Sequence, residues 1–80
     1  MKVLFYGRLA EALGAELDVG VDAGSSVAQL RDRLAADHPY VEDVLRSRRT
    51  RACVGDTLVP DDYRIVATDT LEFLPPLSGG

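Results

Sequence analysis

The chain ends Phe73-Leu-Pro-Pro-Leu-Ser-Gly-Gly80, and the two closing glycines are its most distinctive chemical feature. At an average glycine usage of about 7%, such an ending arises by chance roughly once in 200 chains. Gly79 and Gly80 have no Cβ atoms, so they can thread a narrow channel and present a C-terminal carboxylate inside it. Pro75 and Pro76 hold the base of this segment extended, which lowers the entropy lost on insertion. From Pro75 onward the segment reaches at most roughly 20 Å, enough to enter a partner's active site. Taken alone, the glycines also fit a frayed terminus. The diproline base, on the strand and helix pattern described below, favours the functional reading.

The other reactive residue types are sparse. Cys53 lies between Ala52 and Val54, with no neighbouring His or Lys to depress its pKa, and reads as a core cysteine. A single cysteine excludes an intramolecular disulfide and a cysteine-rich zinc site. With one histidine and no His-Cys-Asp cluster, no metal site is expected. His38 stands before Pro39 at a helix end, where a cation meets the helix dipole favourably, so a capping or surface role is expected. Asp61-Asp62 follow Pro60 and read as a solvated turn, because nothing nearby would desolvate either carboxylate. Arg46, Arg48, Arg49 and Arg51 form the one basic concentration. They read as a solvated helix end, with Arg46 paired to Glu42 or Asp43 at helical spacing. The alternative is a contact with an anionic patch on a partner.

Thirteen acids against nine Lys and Arg give a formal charge of −4. Nucleic acids and anionic membranes require a basic face, so neither is an expected partner. The apolar run Val3 to Tyr6 is too short for a secretory signal or a membrane span. A reduced, cytoplasmic protein is the expectation.

Eighty residues make one small domain that buries only about 60% of its unfolded surface. Such a core has no room for a deep enclosed site, so chemistry belongs at a surface, a terminus or a shared interface. Lys2 to Tyr6 is a strand closed by Gly7, and Arg8 to Leu13 a short helical turn ended by Gly14. Glu16 to Asp22 alternates strictly, placing Leu17, Val19 and Val21 on one face of a second strand, with Gly14-Ala15 in the hairpin connection. Ser26 and Gln29 have capping-box spacing. Val27, Leu30 and Leu34 then recur at helical period, with Arg31, Asp32, Arg33 and Asp37 on the wet side. Pro39 ends that helix, and Tyr40 to Arg46 forms a second helical piece. Strands follow at Arg51 to Gly55, with a turn at Gly55-Asp56, at Thr57 to Val59 and at Thr70 to Leu74.

This order predicts an α+β fold of β-grasp type: a mixed sheet wrapped around one main helix, with the first and last strands parallel at its centre. Residues 1–74 form the domain and 75–80 a flexible tail. Alternation puts Val3, Phe5, Leu71 and Phe73 toward the helix. Leu4, Tyr6, Glu72 and Leu74 then share the opposite face, which Leu58 extends. Apolar residues on an outer face mark a partner surface.

Lys2-Val-Leu-Phe-Tyr-Gly-Arg-Leu-Ala-Glu-Ala-Leu-Gly14, together with the Phe73 to Gly80 ending, closely resembles the small subunits of molybdopterin synthase. These are ubiquitin-like β-grasp sulfur carriers, and the resemblance spans the whole chain. It departs from the family's habit at Gly55, where asparagine is common, and at Ala67-Thr68-Asp69, where a glycine-containing turn is common. Both departures concern turns. The resemblance implies a protein that is not catalytic alone and binds no cofactor. A ubiquitin-activating-like adenylyltransferase would use ATP to adenylate Gly80, and a sulfur donor enzyme would convert it to a thiocarboxylate. The tail, Pro75, Pro76, Leu77, Ser78 and Gly79, would then enter the synthase large subunit. There the sulfur passes to cyclic pyranopterin monophosphate in molybdenum cofactor biosynthesis. A carrier for thiamine or cysteine biosynthesis and a ubiquitin-like protein modifier are the alternatives.

Overall fold

In the computed structural model, which describes residues 1–75, the chain runs β1 (Lys2–Phe5), α1 (Gly7–Leu13), β2 (Glu16–Asp18) and α2 (Val27–Asp37). A 3₁₀ turn (Pro39–Val41) leads into α3 (Glu42–Arg46), followed by β3 (Arg51–Val54), β4 (Thr57–Val59) and β5 (Thr70–Leu74). The strands form one sheet in the order β2-β1-β5-β3-β4. β1 and β5 lie side by side and parallel, with Val3 opposite Leu71 and Phe5 opposite Phe73. β2 flanks β1 antiparallel, and β3 flanks β5 antiparallel. This is the expected β-grasp.

The alternation of the strand sequences explains the sheet's two faces. Val3, Phe5, Ala52, Leu71 and Phe73 are all buried beneath the helices. The Phe5 and Phe73 rings stack with centroids 6.0 Å apart. From the other side α2 contributes Val27, Leu30, Leu34 and Ala35, while Leu9, Val41, Leu45 and Ile65 close the core's margins. The start of α2 is set by the predicted reciprocal cap. The Gln29 backbone N–H donates to Ser26 Oγ at 3.1 Å, and the Ser26 N–H donates to Gln29 Oε1 at 2.8 Å. The helix stops at His38 because the residue before a proline is driven out of helical conformation. β3 and β4 are joined through Gly55 and Asp56, both at positive φ (53° and 67°). That is the backbone of the two-residue hairpin whose twist matches its strands. Gly55 and Asp56 thus meet the turn's demand for positive φ at both positions.

Three local expectations are corrected. The second strand covers only Glu16–Asp18, not the whole stretch to Asp22. β1 offers partners only to Lys2, which faces Asp18, and the Val19 N–H then donates to the Met1 carbonyl at 2.8 Å. Val19 is still buried and Val21 half-buried, so the alternation reported burial correctly but ladder pairing only in part. The connection between β1 and β2 holds α1 and returns through Gly14 and Ala15, as expected. Gly14 ends α1 at φ 91°, and Ala15 receives the Phe5 N–H at 2.9 Å. Arg31 is not on the wet side of α2; it is buried, at 7% exposure. Cys53 is buried, but it projects from the outer face of the sheet rather than into the core. Its neighbour Ala52 is the residue that pairs with inward-facing Phe73.

Candidate functional site at the tail root and the outer sheet face

The registers place one row of side chains across the outer face: Leu4 beside Glu72, Glu72 beside Cys53, and Cys53 beside Leu58. One pleat further toward the tail, Leu74 stands beside Arg51. Leu4 and Leu74 are half-buried, whereas Leu58 and Tyr6 are 50% and 40% exposed. The four residues expected at a partner surface therefore share one side of the sheet, with Cys53 sealed between them. Tyr6 donates its hydroxyl proton to the Glu72 carboxylate. That bond, with some burial and the nearby negative charge, raises the Tyr6 pKa above its ordinary value of 10.0. Tyr6 is thus held across the ends of β1 and β5 in its neutral form.

Leu74 ends β5, and Pro75 follows, exposed. Pro75 borders a cleft of about 340 Å³ whose walls include Tyr6, Arg8, Leu9, Asp43 and Arg49. Arg8 and Asp43 pair across it at 3.1 Å. Gly7 turns the chain from β1 into α1 at φ 57°, and a Cβ there would stand 3.6 Å from the Pro75 Cβ. The contact itself is ordinary; the left-handed backbone is what calls for glycine. Pro76, Leu77, Ser78, Gly79 and Gly80, the remaining residues assigned to the tail, lie outside the described residues.

Beneath the tail root sits a polar element that the sequence did not disclose. The Arg31 guanidinium donates to the backbone carbonyls of Leu45 at 2.7 Å, Ser47 at 3.2 Å and Thr50 at 2.5 Å, and to Asp61 Oδ1 at 3.0 Å. Its carbon lies 5.3 Å from the centre of the Phe73 ring. One side chain on α2 thus ties down the segment leading into β3 and stacks on the last inward residue of β5. The helical pattern Val27, Leu30, Leu34 brackets position 31 without marking it. The only signal available was an arginine one position from a core residue, and arginine is ordinarily solvated there.

The remaining chemical candidates are scattered. His38 caps the end of α2, its Nδ1 3.3 Å from the Tyr40 hydroxyl. Asp61 is half of the Arg31 pair rather than a free turn residue, while Asp62 is exposed. Arg46 bonds to Glu42 at the predicted spacing and also to Asp32. Among the described residues no group of His, Cys, Asp and Glu side chains could hold a metal ion. No helix among them is long and apolar enough to cross a membrane.

Sheet order, the parallel central pair and the single long helix define a ubiquitin-like β-grasp protein. The chain belongs to the ThiS family, whose profile it matches over residues 3–80. It is 30% identical over 80 residues to the molybdopterin synthase sulfur carrier subunit of Escherichia coli K12, covering 100% of this chain and 99% of that one. In fold it is similar to the small archaeal modifier protein 1 of Haloferax volcanii, with TM-score 0.80, 22% identity and 95% of each chain covered. It is also similar to a chain in the complex of subunits 1 and 2 of the molybdopterin-converting factor from Helicobacter pylori. There the TM-score is 0.65 and the identity 16%, with 99% of this chain and 96% of that one covered.

Proposed function

We propose that this protein is a sulfur carrier and the small subunit of a molybdopterin synthase. The end-to-end similarity to the E. coli sulfur carrier subunit carries this reading. The terminal Gly79-Gly80 supports it, as does a root at Pro75 that opens outward beside an apolar sheet face. Residues 1–74 serve as the folded body and 75–80 as the tail. The C-terminal carboxylate of Gly80 is a poor electrophile until an activating enzyme spends ATP to join it to AMP. A sulfur donor then displaces AMP, the new C–S bond replacing the acyl–phosphate bond, and leaves a thiocarboxylate. In the large subunit this sulfur is delivered to cyclic pyranopterin monophosphate. The general acids and bases come from that partner; the chain contributes the sulfur-bearing atom and the docking face of Leu4, Tyr6, Leu58 and Leu74. The setting is cytoplasmic.

A second reading within the same fold is a protein modifier, favoured by the likeness to the archaeal modifier protein. One experiment separates the two. The chain is incubated with ATP, an activating enzyme and a sulfur donor, and its intact mass is measured with and without a protein extract. Exchange of one oxygen for sulfur at Gly80, lost again on adding large subunit and pterin substrate, is the expected result. A target-sized adduct would establish the modifier instead. A chain lacking Gly80 should unfold normally and acquire no sulfur; retained sulfur transfer by that chain would refute the assignment.

A further inference from the structure

Nine Lys and Arg side chains face thirteen acids in this chain, so every cation has carboxylates to choose from. Six of them take partners. Lys2 pairs with Glu16, Arg8 with Asp43, Arg31 with Asp61, and Arg46 with Asp32 and Glu42. Arg33 and Arg64 donate to the carbonyls of Gly20 and Gly24. The side chains of Arg48, Arg49 and Arg51 have no ion pair or hydrogen bond among the described residues, and all three are exposed.

Their position is specific. Arg51 is held by β3 directly opposite Leu74, the last residue of β5. Arg49 borders the cleft that Pro75 and Tyr6 also line. Arg48 and Arg51 border a second hollow, of about 540 Å³, whose wall includes Leu58. The unpaired charges therefore adjoin the point where the chain leaves the sheet, next to the apolar residues of the outer face.

We propose that Arg48, Arg49 and Arg51 form a cationic collar at the tail root that docks a carboxylate-bearing rim around the tail entrance of the synthase large subunit. The inference rests on the function proposed above and adds to it the chemistry of the partner's rim. Guanidinium groups match carboxylates with paired, directional hydrogen bonds. A protein rim also suits the adjacent leucines, whereas a nucleic acid would meet a chain of net charge −4 with no aromatic residues interleaved among these arginines.

The test compares wild type with the Arg48→Glu/Arg51→Glu and Arg48→Gln/Arg51→Gln variants, in the full chain. Association with purified cognate large subunit is followed by stopped flow at low and high salt, and urea unfolding verifies each fold. The expected result is an association rate roughly tenfold lower or more for the Glu variant at low salt, with an intermediate loss for the Gln variant. The differences should shrink as salt rises. Rates unchanged by substitution and by salt would overturn the collar while leaving the proposed function intact. So would an equal loss at every salt concentration, or tighter binding to a single-stranded oligonucleotide than to the large subunit. Failure of the wild-type chain to bind the large subunit at any salt would refute the proposed function, and the collar with it.

Discussion

Replacing Arg31 by alanine removes one side chain and strands four acceptors, so it tests directly whether a buried cation organises this fold. Three of those acceptors are backbone carbonyls, of Leu45, Ser47 and Thr50, and the fourth is Asp61, whose side chain is 59% exposed. Water can reach Asp61 after the substitution, so its loss contributes little, as for surface pairs generally. Carbonyls around a side chain that was 7% exposed are in a different position. Bonds to a charged donor contribute about 1.5–3 kcal/mol each, and an unsatisfied buried group costs about 1–3 kcal/mol. Partial collapse and water entry offset part of this, so we expect a loss of about 3–5 kcal/mol for Arg31→Ala, in the range seen when one partner of a buried ionic network is removed. Arg31→Lys keeps the charge but loses the planar fork and the stacking on Phe73, and should recover less than half of the loss. Asp61→Ala should cost about 1 kcal/mol or less. Urea unfolding of the three variants measures all of these. If Asp61→Ala proved as damaging as Arg31→Ala, the energy would reside in the ion pair and the carbonyl latch would be refuted. A wild-type midpoint for Arg31→Ala would refute both.

Three further outcomes follow from the packing and hydrogen bonds described above. Phe73→Ala, at a position with 0% exposure, should cost about 3–5 kcal/mol in urea unfolding, and saturating large subunit should restore part of it. Leu74→Glu should leave the unfolding midpoint nearly unchanged and weaken large-subunit binding by calorimetry, because the new carboxylate is desolvated only on docking; a collapse of stability would place Leu74 in the core. Tyr6 and Tyr63 have pKa values raised by their bonds to Glu72 and Asp69, so their contribution to stability is fully present below the ordinary tyrosine pKa of 10.0 and is lost as pH rises through the shifted values. Urea midpoints should therefore fall as pH rises beyond that range, and less steeply in the Tyr6→Phe/Tyr63→Phe variant; equal slopes would refute the coupling.

What was legible in the sequence is whatever local chemistry specifies. The Ser26–Gln29 cap, the stop at Pro39, the turn at Gly55 and the inward set Val3, Phe5, Leu71 and Phe73 each follow from spacing within a few residues. The extent of β2 was overestimated because alternation reports burial, while ladder length depends on where β1 runs out of partners. Arg31 was missed for a related reason. Its acceptors lie 14 to 30 positions away, and nothing near residue 31 announces that α2 packs beside the carbonyls at the end of α3 and in the segment after it. Cys53 is buried as its apolar neighbours imply, but its place on the outer face could not be read locally, since its companions there come from β4 and β5 and not from its own strand.

The same pleat that separates the two faces also separates two physical roles on β5. Leu71 and Phe73 point into a core that holds a small domain of marginal stability, typically about 5–15 kcal/mol, so a single truncation there removes a large share of it. Glu72 and Leu74 point the other way, where their neighbours are Leu4, Cys53 and Arg51 and where, on the proposed function, a change should alter docking before it alters folding. β5 is bonded on one side to β1 and on the other to β3, so its end cannot swing without breaking the centre of the sheet. Arg31 stacks on Phe73 from within and fixes the backbone that leads into β3, the strand carrying Arg51. A partner that grips the outer face therefore meets leucines, the Tyr6–Glu72 pair and the unpaired arginines in one fixed arrangement around Pro75. Under the proposed function, this fixed root is what would aim the terminal residues at a reacting centre.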